Sequence, residues 1–329
     1  MLSPENSLLP WSDTGPLLPH ENRERLSRWE QEARNAYPPN TLRAWRADWV
    51  IYDAWARRCN LSPIPAAPEL IAAYVRESAA AKKPATVRRY LATIARAHLA
   101  AGLVNPCASE PVRLAVKAMT RAQSVRQRQA HALGWAEISK FIETSGEGLR
   151  AERERALLCV AYDSMARRSE LVALDIEDLT LLEDGTGRVL IRRSKVDQGG
   201  EGAVAYLACE TVRHLQRWLE RAGIHSGALF RRLIGRERVG ARLHADQIAD
   251  IYKRVASWVG MQAEDVRQVS GHSIRVGATQ DLLALNIDLA SVMQAGRWKS
   301  TAMPMRYGER VLASQNGRAG AAQRQSRDE

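Results

Sequence analysis

The chain has only four cysteines in 329 residues, Cys59, Cys107, Cys159 and Cys209, far apart and without a CxxC pair. That spacing signals neither a zinc site nor a dithiol motif; buried free thiols in a reducing, cytoplasmic setting are expected. The seven histidines form no HExxH or similar ligand pattern, so no metal is expected. There is no GxxxxGK[ST] loop, which leaves ATP use without support, and no cofactor is expected. The "GTG" at 185–187 lacks a third glycine and reads as a turn. No apolar run approaches a membrane span. The opening "MLSPENSLLPWSDTGPLLPHENRER" has neither a basic start nor a continuous apolar block, so it does not read as a secretory signal. Its prolines suggest a flexible tail over 1–21. Acidic residues are also short: 37 Asp and Glu against 48 Lys and Arg leave a net charge of +11. That excess points to a polyanionic partner, nucleic acid first. At 45% hydrophobic and 26% charged, the composition is globular, and the length suffices for two domains.

Residues 22–120 read as helical. Leu42, Trp45, Trp49, Tyr52 and Ala56 recur at spacings of three and four, with Asn40 or Thr41 as a cap. Val87, Leu91, Ile94 and Ala97 repeat the pattern behind Pro84, which can start a helix. The Trp-rich stripe reads as core. Arg43, Arg46, Lys82, Lys83, Arg88 and Arg89 lie between core positions, one-signed on two helices, and form a candidate phosphate-facing surface. The acid-free stretch "RAQSVRQRQAHALGW" supplies Arg121, Arg126 and Arg128 and reads as a basic linker over 121–132. From 133 helices resume, interrupted by one convincing β signal: "GRVLI", turn residues in "VDQGGEG", then "AVAYLA", a short antiparallel hairpin or three-stranded sheet. Helices continue to about 312, and 313–329 reads as a polar tail. The fold class is therefore mainly α in two domains, with one small antiparallel sheet in the second.

Chemistry concentrates in the second domain. In "VSGHSIRVGATQDL", His272 and Arg275 are three residues apart at a helix start and share a face, a pairing suited to an anion. Arg167 and Glu170 lie in "RRSEL", Lys195 at the hairpin turn, Trp298 in "QAGRW" and Tyr307 in "MRYGE". This ordered set resembles the active site of the tyrosine recombinases of the lambda-integrase and Cre type. The family's Arg-x-x-Glu motif falls on Arg167 and Glu170, its hairpin lysine on Lys195, its HxxR on His272 and Arg275, its His-or-Trp position on Trp298 and its nucleophile on Tyr307.

The resemblance implies a DNA breaking-rejoining fold. A helical core-binding domain over 22–120 clamps DNA, and the catalytic domain spans 133–312. It implies cleavage by Tyr307 through a 3′-phosphotyrosine, with Arg167, Arg275, His272 and Trp298 on the phosphate and Lys195 as general acid. Glu170 orients a site residue, His272 or an arginine. Two guanidiniums can hold phosphate oxygens with paired, fixed donors and so take the place of metal ions. The covalent bond conserves the energy needed for religation, so ATP is not required. The implied partner is double-stranded DNA, bound by a homotetramer on two sites. The free protein is expected to be a monomer or weak oligomer, in the cytoplasm and nucleoid of a prokaryotic, phage or plasmid host, away from membranes. Residues 243–260 read as an amphipathic helix where relatives place a major-groove helix, and Gln247 and Lys253 are its candidate DNA contacts. Alternative readings are a type IB topoisomerase or telomere resolvase, and a non-catalytic DNA-binding regulator on the same fold.

Overall fold

The computed structural model describes residues 18–123, 128–192, 201–235, 237–315, 318 and 325. The chain divides into two compact units, Met1–Gln127 and Arg128–Glu329.

The first unit contains α1 (His20–Ala36), α2 (Pro39–Arg58), α3 (Pro68–Ala81), α4 (Pro84–Ala100) and α5 (Glu110–Ala122). Proline opens α2, α3 and α4, where its fixed φ suits a helix and its missing N–H is no loss. Pro38 therefore occupies the cap position of α2, in place of the expected Asn40 or Thr41. Helix α1 begins inside the stretch read as a tail, and Leu18 before it is buried. Trp49, Tyr52, Trp55 and Tyr74 form the aromatic heart of the unit, with Tyr52 and Tyr74 ring centroids 5.1 Å apart. Val87, Leu91, Ile94 and Ala97 are buried on α4. The buried His98 is structural: its Nδ1 lies 2.9 Å from the Ile94 carbonyl and its Nε2 accepts from the Ala66 amide at 3.0 Å. Burial pushes its pKa below the ordinary value, so it stays neutral.

The second unit runs α6 (Trp135–Thr144), α7 (Leu149–Ser164), α8 (Arg168–Ala173), β1 (Leu179–Leu181), β2 (Gly187–Ile191), β3 (Ala203–Leu207), α9 (Cys209–Ala222), β4 (Arg231–Ile234) and β5 (Arg238–Arg242). It then continues with α10 (Gln247–Trp258), α11 (Ala263–Gln268), α12 (Ser273–Ala284), α13 (Leu289–Gly296), α14 (Ala302–Tyr307) and α15 (Glu309–Gln315). Strands β1, β2 and β3 form a three-stranded antiparallel sheet with Val189 opposite Ala205. Val189 and Ile191 face the core and Leu190 faces out, the period-two pattern of a half-buried strand. Gly185, at φ +81, makes the β1–β2 turn. A second hairpin, β4–β5, departs from the expectation of a single sheet. Its sequence, "RRLIGRERVGAR", is mostly arginine and glycine and lacks the branched apolar run that marks a strand.

Helix α7 is the axis of this unit. Ala156 through Ala161 are all buried, so the helix is enclosed on every side rather than amphipathic. Its charged first turns are buried as ion pairs: Glu152 Oε1 meets Arg155 at 3.4 Å, Arg217 at 3.2 Å and Arg221 at 3.4 Å, tying α7 to α9. Glu154 meets Arg254 of α10 at 2.5 Å. The cysteines are free, but only Cys159 is fully buried; Cys59 and Cys209 are exposed, contrary to the expectation of buried thiols. Both sit at helix ends, one closing α2 and the other opening α9, where the local apolar pattern has stopped.

Candidate active site

Arg167, Glu170 and Arg275 meet around the C-terminal end of α7, with Trp298 and Tyr307 packed beyond Arg275. There Met165 takes the left-handed conformation at φ +47 and closes the helix. The chain reverses, and Arg167 becomes the N-cap of α8. Glu170, in the first turn of α8, accepts from the Arg167 backbone amide at 2.9 Å and from the Arg167 guanidinium at 2.6 Å. The carboxylate thus caps the helix and fixes the arginine at once. Glu170 is only 4% exposed. Burial works to raise its pKa, but the hydrogen bonds from Arg167 and the charges of Arg167 and Arg297 outweigh it and hold the carboxyl below the usual range.

Arg275, on α12, is 3% exposed. Its guanidinium donates to the carbonyls of Met165 and Gly296 and lies 4.3 Å from the centre of the Trp298 ring. Two acceptors leave further N–H groups of the guanidinium for an anion. Burial, with the nearby charges of Arg167 and Arg297, pushes its pKa down to about 10, against opposition from Glu170 and Tyr307; it remains a cation at neutral pH. The Trp298 ring in turn meets the Tyr307 ring edge-on, with centroids 5.9 Å apart. The ring lies against the backbone of Gly296, where an added Cβ would fall 2.0 Å from it. Tyr307 ends α14 and is 9% exposed. Its carbonyl accepts from Gln280 at 2.9 Å and from Gln129 at 3.2 Å. His272 is exposed and occupies the N-cap of α12, one turn before Arg275.

Arg167 and Glu170 are thus in direct contact, and Arg275, Trp298 and Tyr307 form a second contiguous group. Lys195 and Arg126 lie outside the described residues. Arg168, beside Arg167, faces elsewhere and pairs with Asp246 at 3.2 Å. A third arginine, Arg297, enters the cluster without having been singled out from the sequence. It donates to Glu170 at 3.0 Å and to the Ser164 carbonyl at 2.7 Å. Its only sequence signal was its place beside Trp298. Three guanidiniums around one carboxylate leave an excess of positive charge where an oxyanion can bind.

The candidate DNA contacts are placed less uniformly. Arg46, Lys82, Lys83, Arg121 and Arg128 are exposed. Arg89 instead pairs with the buried Asp48 at 2.9 Å, Arg88 donates to Thr120 at 2.9 Å, and Arg43 bonds Asn40. In α10, Gln247 is exposed and Lys253 half-buried. The helix starts at Gln247, since 243–246 form the connection after β5.

The chain is similar to proteins of known class. The phage integrase family model matches residues 131–311. An integrase/recombinase xerD homolog of Selenomonas ruminantium is 32% identical over 300 residues, covering 87% of this chain and 86% of its own. The recombinase cre of Escherichia phage P1 is 24% identical over 306 residues, covering 86% and 88%. Among solved structures, XerH recombinase in a post-cleavage complex with its difH substrate has a TM-score of 0.62 at 16% identity, covering 94% of this chain and 95% of that one. A lambda integrase dimer on a core site gives 0.57 at 16% identity, with 87% and 94% covered; both share the fold. The chain belongs to the phage integrase family. It is a tyrosine recombinase, mainly helical with small antiparallel sheets.

Proposed function

We propose that this recombinase cleaves and rejoins double-stranded DNA at a specific site, with Tyr307 as the nucleophile. The observation that carries the reading is that Glu170 pairs with Arg297, that Arg297 and Arg275 share the Met165 carbonyl, and that Arg275 packs on Trp298 and Trp298 on Tyr307. It sets a phenol beside buried cations with donors to spare. The Tyr307 oxygen attacks phosphorus, and a phosphotyrosine bond forms as the bond to the 5′-oxygen breaks. His272 takes the phenol proton or donates to the phosphate, and Lys195 protonates the leaving 5′-oxygen. Arg167 and Arg275 hold the non-bridging oxygens, whose charge grows in the transition state, and Trp298 donates through its indole N–H. A 5′-hydroxyl from another strand then attacks the phosphotyrosine, restoring the phenol and rejoining DNA.

In this reading the first domain, 22–120, contributes the DNA clamp, with Arg46, Lys82 and Lys83 toward phosphates and Arg43, Arg88 and Arg89 occupied by Asn40, Thr120 and Asp48. Arg121 and the linker residues Arg126 and Arg128 follow the backbone, and Gln247 and Lys253 face the groove. Two pairs of protomers assemble on two sites, and the free chain is a monomer or weak oligomer. A DNA substrate implies work in the cytoplasm and nucleoid; among the described residues no helix is long and apolar enough to cross a membrane.

Covalent trapping tests the reading. The protein is mixed with nicked DNA fragments from its own replicon in EDTA and denatured. A protein–DNA adduct is expected from the wild type and none from Tyr307→Phe. An adduct that requires added magnesium, or that persists in Tyr307→Phe, contradicts it. DNA binding unchanged by Tyr307→Phe, with no adduct from either protein, would instead favour a regulator.

A further inference from the structure

We infer that Arg297 is a positioning residue for strand cleavage: by sharing Glu170 with Arg167 it leaves the Arg167 guanidinium charged toward the phosphate and fixed in direction. The inference rests on the reading of Arg167 as a phosphate ligand.

The geometry is specific. Glu170 presents one oxygen, Oε1, to the Arg167 guanidinium at 2.6 Å and the other, Oε2, to Arg297 at 3.0 Å. Were Arg167 its only partner, the carboxylate would neutralise that guanidinium; with two partners, the pair of arginines and one carboxylate retain a net positive charge. Arg297 also bonds the Ser164 and Met165 carbonyls, at 2.7 and 3.3 Å. Met165 is the same carbonyl that receives Arg275, so Arg297 locks the corner of chain on which both phosphate-binding arginines depend.

Its backbone points the same way. Arg297 closes α13 in the left-handed conformation at φ +55, a conformation that favours glycine and disfavours a long side chain. An arginine held there against the local preference is an outlier of the kind stored at functional sites. The side chain is only 12% exposed and turned inward, so it is placed to act on Glu170 rather than on solvent-facing DNA.

The test uses the full-length protein and a nicked form of the DNA fragment that the wild type traps. Arg297→Gly suits the left-handed backbone and removes the guanidinium together with the rest of the side chain. Its affinity for the fragment should match the wild type. Single-turnover cleavage should slow roughly a hundredfold, the scale of a small misplacement of a reacting group. The acid limb of its pH–rate profile should move to higher pH, because Glu170 loses one of the two cations that keep it ionised. If the glycine variant does not fold, Arg297→Gln carries the test through the same pH profile. A cleavage rate equal to wild type, an affinity that falls in step with the rate, or an unmoved acid limb overturns the inference. Tyr307→Phe runs alongside. No wild-type adduct, or an adduct in Tyr307→Phe, overturns the nucleophile assignment and this inference with it; equal adduct formation by wild type and Arg297→Gly overturns this inference alone.

Discussion

Glu170 is where local structure and site chemistry meet, since one carboxylate caps α8, fixes Arg167 and pairs with the buried Arg297. Its pKa is held below the ordinary carboxylate range. Its stabilising contribution is therefore complete above the unfolded-state pKa and is lost as pH falls through the lowered folded value. Glu170→Ala leaves Arg297 with a buried, unmatched charge and should destabilise the second unit by about 3 to 5 kcal/mol near neutrality. Urea unfolding at neutral and strongly acid pH checks this: the difference from wild type should shrink in acid, and an equal deficit at both would contradict it. Arg167, Glu170, His272, Arg275, Trp298 and Tyr307 could be singled out because they match, in order, the motifs of the family the sequence resembles. Arg297 was not, because nothing in the periodicity of "MQAGRWKS" announces a left-handed residue whose side chain turns inward. The pairing of Arg89 with Asp48 was equally hidden, since a one-signed charge run says nothing of the carboxylate that α2 brings beneath it.

Helix α12 carries both His272 and Arg275, and its placement depends on how closely residues 131–134 lie against it. Gly277 allows that approach: a Cβ there would sit 2.1 Å from the Leu133 carbonyl oxygen, and the Leu133 amide donates to the Ser273 carbonyl at 3.0 Å. Gly277→Ala must push a backbone segment aside and should lower stability by about 1 to 3 kcal/mol, read as a lower urea midpoint with an unchanged slope. The same helix supplies Gln280, which with Gln129 holds the Tyr307 carbonyl. Gln280→Leu should slow cleavage roughly tenfold while leaving DNA affinity unchanged, since it loosens the helix that carries Tyr307, the proposed nucleophile. A loss confined to affinity would speak against that role. At this scale α2, α4, α10 and the β2–β3 hairpin were legible from period and turn residues, whereas α7, buried on every side, carries no such period. Hairpin β4–β5 did not, because its strands are arginine-rich and their residues are at most half-buried, leaving no alternation to read.

Across the whole chain, the charge of +11 bears on partner and rate rather than on fold. With roughly six or more phosphate contacts, DNA affinity should fall about a thousandfold between about 50 and 200 mM salt. A filter-binding series would show it, and a flat response would contradict the nucleic-acid reading of both units. The family match over 131–311 falls within the second unit, Arg128–Glu329. What decides the matter is the identity of the atom bonded to DNA. Trapped adducts should be digested with protease and nuclease, and the nucleotide-bearing peptide sequenced by tandem mass spectrometry. The expected result is a 3′-phosphate carried by the peptide containing Tyr307 and by no other. A nucleotide on any other tyrosine, or a 5′-phosphate linkage, would contradict the account.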